Sequence, residues 1–392
     1  MFLPASDLSE GSSIGLHVEG DATGRMSPNE PSVQTVRRRV WYCLYILDQL
    51  VALQLSRPPA IRQGDFNVSL PARSDDVPSS DQTGTTTEKD PWIGDYFVSM
   101  IQFSHIIGQV LRNLYSPMGA LLNEATLSTI ERFDQTLLEW KLNLPRSLRF
   151  DLGHTFEKSV TFRRQRNMLA IKFYSLRALI HRPYLSRSTG DINLDPKSFP
   201  ASDLEHWRIS QSKRACVDAA QQTARLLHNI EDKKGLIFGF PWWQMISCLI
   251  CASSILLVAR ILLDHDQQTD GEGFDWAAVE EDADLCLRVF EVLSTNSKAA
   301  RLARDMMEGL KETRSRVNLC PKGQQTVASF QETSDTVSRS DFSLLGFYGI
   351  ESEDSSSEYR GLGQGISEPV MWSAQFVDAA YNPFLGYSST TL

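Results

Sequence analysis

The apolar residues of this chain recur at steps of three and four and almost nowhere alternate at steps of two, so helices must build its core. Val33, Val36, Val40, Leu44, Leu47, Val51 and Leu55 trace one face of a long helix. Trp41, Tyr45 and Ile46 widen that face until the helix is apolar nearly all round, which predicts a central element. Its start is marked twice. Ser27-Pro28-Asn29-Glu30 has capping-box spacing, and Pro31 suits the first helical position after a cap at Asn29 or Glu30. Ser56-Arg57-Pro58-Pro59 ends it, because proline removes a backbone donor and restricts the residue before it.

The same period predicts further helices. One starts at Asp90-Pro91 and presents Ile93, Phe97, Met100, Phe103, Ile107, Leu111 and Leu114 on one face. Another runs from about Leu127 to Leu142. A fourth covers Val160 to Ile180 and is expected to end at His181-Arg182-Pro183. A fifth starts at the capping box Ser202–Glu205 and reaches about Ile230. An apolar helix from Pro241 and an amphipathic pair within 275–318 complete the series. The expected fold is all-α: a large multi-helix domain over 27–320, with a flexible leader at 1–26. Residues 321–392 lose the period and mix acids with aromatics, so a disordered tail is expected there.

From Trp242 to Ala259 there is no charged residue, a length that suits a bilayer. Gln244, Ser247, Ser253 and Ser254 interrupt it, and neither an aromatic belt nor a Lys/Arg asymmetry flanks it. A helix buried all round is therefore expected in preference to a membrane-anchored protein. The first residues have no basic region and no apolar core, so they do not read as a signal peptide. Six cysteines at uneven spacing argue for reduced thiols rather than a disulfide framework.

The net charge of -9 is concentrated at the two ends, and the body between them is nearly neutral. Wrapping a phosphate backbone needs clustered Lys and Arg, so this balance argues against direct nucleic-acid binding by the chain. Arg37, Arg38 and Arg39 form a basic run, but consecutive helical positions point about 100° apart and do not make one stripe. The expected role is structural. One of the three should pair with an acid such as Asp48, which sits among Trp41, Leu44 and Tyr45 and needs a paired charge or hydrogen bonds there.

Signals of chemistry are weak. Cys248 and Cys251 have a C-x-x-C spacing but no second pair or His nearby, so buried free thiols are expected. Glu280-Glu281-Asp282-Ala283-Asp284 resembles a cation box, yet no facing carboxylates accompany it, and it reads as a solvated helix start. The chain has no G-x-S-x-G, no G-x-x-x-x-G-K and no H-E-x-x-H. No catalytic, cofactor-binding or metal-binding residue is assigned. A helical enzyme stays as the alternative reading, and a magnesium ion bound in a pocket would be its sign.

One ordered series has a family likeness. It comprises Gly15-Leu16-His17, Ser27-Pro28, Arg37-Arg38-Arg39-Val40-Trp41, Ile46-Leu47-Asp48, Ser56-Arg57-Pro58-Pro59-Ala60-Ile61, Asp65 and Leu70-Pro71. This series resembles the fungal-specific transcription factor domain, the middle homology region of fungal binuclear zinc-cluster regulators, also known as the xylanolytic-activator-type regulatory domain. Leu179–Leu185 and Trp242-Trp243 add weaker likeness, and the resemblance covers about residues 12–320. Ser56 stands where that family commonly has glycine.

The family's domain normally begins well before its Gly-Leu-His segment, with a six-cysteine zinc cluster further upstream, and the sequence contains neither. The resemblance implies a nuclear regulator of RNA polymerase II transcription, of which this chain supplies the regulatory part. It implies no cofactor here, with zinc expected only in the upstream cluster. Arg37, Arg38, Arg39, Trp41, Asp48, Arg57, Pro58, Asp65 and Pro71 become motif positions with structural roles. The partners it implies are DNA through the zinc-cluster module alone and a second subunit. A co-activator reached through the tail is a further expected partner, and a membrane is not one.

Overall fold

The computed structural model describes residues 15–19, 31–55, 57–71, 94–115, 124–152, 159–185, 203–230, 242–263, 274–295 and 297–319. In chain order its helices are α1 (Pro31–Leu55), α2 (Gly94–Leu114), α3 (Glu124–Leu142), α4 (Val160–Leu185), α5 (Asp203–His228), α6 (Trp242–Leu263), α7 (Trp276–Ser294) and α8 (Lys298–Leu319). A single 3-10 turn, Arg146–Leu148, follows α3, and no strand occurs among the described residues. The fold is all-α, as the period predicts. The expected caps at Ser27–Glu30 and Ser202, the start at Asp90-Pro91 and the tail 321–392 lie outside the described residues.

Where helix starts are described, short polar side chains fix them. Ser159, Asp275 and Ser297 accept the main-chain N–H of Phe162, Ala278 and Ala300 at 3.3, 3.1 and 3.2 Å. Each serves a donor that the first turn of a helix leaves without an internal partner.

The described residues divide into two compact units, one up to Gly108 and one from Gln109, so the boundary falls within α2. In the first unit the stripe from Val33 to Leu55 is not the buried face of α1: Val33 and Val36 are exposed, and Val40, Leu44, Leu47, Val51 and Leu55 are half-buried. Trp41, Tyr42, Tyr45 and Leu50 are the buried residues of that helix, and Met100, Ile101, Phe103 and Ile107 are buried on α2. The Tyr45 and His105 rings meet with centroids 5.1 Å apart.

The second unit packs α4 to α8 around one core. The buried face of α5 includes the small residues Cys216, Ala219, Ala220 and Ala224, which let neighbouring helices approach closely. Helix α6 touches α4, α5, α7 and α8, which explains why its sequence lacks a polar face. Among the described residues, no helix is long and apolar enough to cross a membrane.

One boundary differs from the sequence expectation. Helix α4 does not stop before His181-Arg182-Pro183 but continues through Pro183 to Leu185. Proline at this position withholds the N–H that would meet the carbonyl of Leu179, four residues back. The Tyr115 hydroxyl donates to that carbonyl at 2.6 Å, so the gap is filled by a side chain from elsewhere in the unit.

Candidate functional site: a clasp around α1

The motif positions converge on α1 within the first unit. The chain before the helix and the chain after it are both strapped to its side. Gly15 has φ +74°, a conformation that L side chains rarely adopt, and its carbonyl accepts the Arg37 guanidinium at 3.0 Å. Arg38 pairs with the Glu19 carboxylate, which also accepts the Ser69 main-chain N–H at 3.0 Å. The Glu19 N–H donates to Asn67 Oδ1 at 2.8 Å, and the Asn67 N–H donates to the His17 carbonyl at 3.2 Å. Residues 15–19, expected within a loose leader, are thus tied to both α1 and the segment 57–71.

The electrostatics follow from these bonds. Burial pushes the Glu19 carboxyl up, but hydrogen bonds from Ser69 and Arg38 outweigh it and hold the group at about 2. Tyr42 donates its hydroxyl to the Val68 carbonyl at 2.6 Å. Burial, with the Glu19 charge beside it, raises the Tyr42 phenol to about 12.

Asp48 departs from expectation. Its partners are not arginines: its two carboxylate oxygens accept the main-chain N–H of Ala60 at 3.1 Å and of Ile61 at 2.9 Å. Gln49 completes the link, donating to Asp48 at 3.1 Å and to the Ile61 carbonyl at 3.0 Å. Burial raises the Asp48 carboxyl above its ordinary value, against the lowering by the Ile61 and Ala60 amides. The arginine run reaches Gly15 and Glu19 instead, while Arg39 is half-buried on the same helix.

The other motif residues shape the returning chain. Arg57 and Pro58 are exposed, and the Arg57 N–H closes onto the Ala52 carbonyl at 3.0 Å as α1 ends. Asp65 accepts the Arg62 N–H at 3.1 Å and so fixes a tight turn. Pro71 is buried at the far end of the segment. Trp41 and Tyr45 flank the Phe66 ring with centroids at 5.4 Å, and Tyr42 lies 6.1 Å from it. Sequence reasoning found Trp41, Asp48 and the arginines but missed Glu19, Phe66, Asn67 and Ser69. The available signal for Glu19 was an acid two residues after the Gly-Leu-His segment.

In the second unit the acid run is not a solvated helix start. Helix α7 begins earlier, at Trp276, capped by Asp275, and the acids reach three other helices. Asp282 is only 3% exposed and accepts Arg225 of α5 at 2.8 and 2.7 Å, together with Gln221 at 2.7 Å. Glu280 pairs with Arg260 of α6 and Asp284 with Lys311 of α8, both at 2.5 Å. A second network joins α3, α4 and α5. Asp134 accepts Arg177 at 2.7 and 3.0 Å, His181 Nε2 lies 3.4 Å from Asp134, and His181 Nδ1 meets the Ser212 hydroxyl at 2.9 Å. Burial raises the Asp134 carboxyl, but His181 and Arg177 hold it at about 2.

Among the described residues no group of three His, Cys, Asp or Glu side chains could hold a metal ion. Cys43, Cys216, Cys248, Cys251 and Cys286 are free thiols, and Cys216, Cys251 and Cys286 are buried. The clasp positions two irregular segments against α1.

Residues 11–148 match the family model of the fungal specific transcription factor domain, a range that contains the whole clasp. The chain is similar to an ABC-transporter-regulating transcription factor of Aspergillus fumigatus, at 30% identity over 58% of this chain and 25% of that protein. It is also similar to the transcriptional activator protein acu-15 of Neurospora crassa, at 24% identity over 65% of this chain and 25% of that protein. The transcription factor cpaR of Aspergillus oryzae is 28% identical over 50% of this chain and 36% of that protein. The chain matches only about a quarter to a third of the length of these curated relatives. No solved structure matches it.

Proposed function

This chain carries a fungal specific transcription factor domain, and from that premise we propose that it is the regulatory part of a regulator of RNA polymerase II transcription. It acts in the nucleus and is not an enzyme. The observation that carries the reading is the coincidence of the family match with the clasp: the matched residues 11–148 contain every motif position that straps α1 to its flanking segments. DNA is read by a separate zinc-cluster module, since the arginines most suited to phosphate are committed to Gly15 and Glu19.

In this reading the helical body controls whether residues 321–392 reach the transcription machinery. Acids in that segment keep Phe342, Leu345, Phe347 and Tyr348 in water until a co-activator groove takes them. The test is a tethered reporter. Residues 1–392 and 1–320 are each fused to an unrelated DNA-binding domain. The longer fusion is expected to raise reporter output above that of the DNA-binding domain alone, and the shorter one to lose that rise. Two fusions indistinguishable from the bare DNA-binding domain would defeat the proposal.

A further inference from the structure

Helix α8 buries one face and leaves an apolar stripe on another. Ala300, Ala303 and Met307 pack into the core of the second unit. Leu302 and Met306, one turn apart, are 55% and 40% exposed. Gly309 and Thr313 continue their line in steps of three and four, and both are exposed. A Cβ on Gly309 would meet nothing within 4 Å, so the surface beside it is open. The Thr313 hydroxyl donates to the Gly309 carbonyl at 2.9 Å, which satisfies the one polar side chain of these four.

Charges spaced seven residues apart border the stripe. Lys298 stands at the start of the helix, Asp305 at its middle and Glu312 in its second half, and all three are exposed. Among the described residues neither Lys298 nor Glu312 has an ion-pair partner. The central Asp305 is already met by Arg304 at 2.9 Å, and Glu308 lies 3.8 Å from the same guanidinium. A base at one end and an acid at the other are complementary to the same helix running the opposite way.

We infer that the exposed face of α8 is a self-association surface, on which a second copy of this chain packs antiparallel about a two-fold axis between Asp305 and Met306. That axis brings Leu302 level with Gly309 of the second copy. A branched side chain opposite a bare glycine lets the helices approach closely, and symmetry makes the contact twice. It also brings Lys298 level with the turn that carries Glu312 of the second copy, giving two ion pairs between chains. The two Asp305 carboxylates come near each other at the axis, where each has its own Arg304. Parallel pairing would instead set Lys298 on Lys298, Glu312 on Glu312 and Gly309 on Gly309. From Lys298 to Glu312 the helix runs about 21 Å, so the contact is small and the dimer is a weak, exchanging one. The inference does not depend on the transcriptional reading, and the reporter experiment can fail without touching it.

The test is sedimentation velocity of the full chain from about 1 to about 200 μM, the range in which a small interface populates its dimer. A reversible monomer–dimer equilibrium is expected. Leu302→Lys, at an exposed position, should weaken it at least about tenfold with helical circular dichroism unchanged. Lys298→Glu and Glu312→Lys should each weaken it. The two carried in one chain should restore it, and the two single variants mixed should pair with each other better than either does alone. A monomer throughout, a dimer indifferent to Leu302→Lys, or a double variant no better than the singles would overturn the inference.

Discussion

Asp48 on α1 accepts the main-chain N–H of Ile61 at 2.9 Å, across thirteen residues of sequence. With Ala60 on its other oxygen, this one carboxylate holds the chain that leaves the helix. Burial is the largest influence on it and raises its pKa above the unfolded value, with the Ile61 and Ala60 amides opposing. A raised acid stabilises the fold fully below its unfolded pKa and loses that contribution as pH rises through its folded pKa. The stability of the native chain relative to Asp48→Asn should therefore fall as pH climbs past the ordinary aspartate range, roughly 4. Asp48→Ala should cost about 2–3 kcal/mol in acid by leaving two amides without acceptors, and less as pH rises through the folded pKa of Asp48. Urea unfolding from acid to neutral pH checks both.

Glu19 gives the opposite slope. Burial raises its carboxyl, but Ser69 and Arg38 prevail and set it near 2, below its unfolded value. A depressed acid stabilises above the unfolded pKa and loses that contribution as pH falls through the folded one. Acid titration should show a loss between pH 4.5 and about 2 that Glu19→Gln lacks. A variant with the same acid limb as the native chain would refute the assignment.

The α5–α7 link should be costly to break from one side. Arg225→Met strands the Asp282 carboxylate at 3% exposure with only Gln221 left, and about 2–4 kcal/mol of stability should be lost. Adding Asp282→Leu should recover much of that loss, because a well-packed apolar pair replaces an ion pair at little cost. Denaturant midpoints of the two variants decide this.

Tyr115 and Pro183 should be coupled through one carbonyl. Tyr115→Phe removes the donor to Leu179 and should cost about 1 kcal/mol. Pro183→Ala supplies a helical N–H to the same oxygen, so in that background Tyr115→Phe should cost much less. Additive losses in the double-mutant cycle would show that the two do not share the carbonyl.

These relationships mark where sequence reasoning reaches and where it stops. Helix existence was legible throughout, because the apolar period of Val33 to Leu55 or of Met100 to Leu114 follows directly from helical geometry. The end of α4 was not, since the donor that compensates Pro183 comes from Tyr115, 68 residues away in the chain. The partners of Asp48 were hidden for a related reason: they are backbone amides, which every residue except proline carries, so residue identity gives no signal. The run 280–284 misled because solvated acids and acids aimed at three separate helices look alike in one dimension. Lys172 sits inside an otherwise ordinary helical period and gives no warning of its burial.

Amide hydrogen exchange across residues 57–71 tests the clasp most directly. This segment has no helix or strand to protect it, so slow exchange at Ala60, Ile61 and Ser69 can arise only from the carboxylates of Asp48 and Glu19. We expect those three amides to exchange slowly. Asp48→Ala should release Ala60 and Ile61 while Ser69 stays protected. Fast exchange at all three in the native chain would mean that the segment is not held to α1.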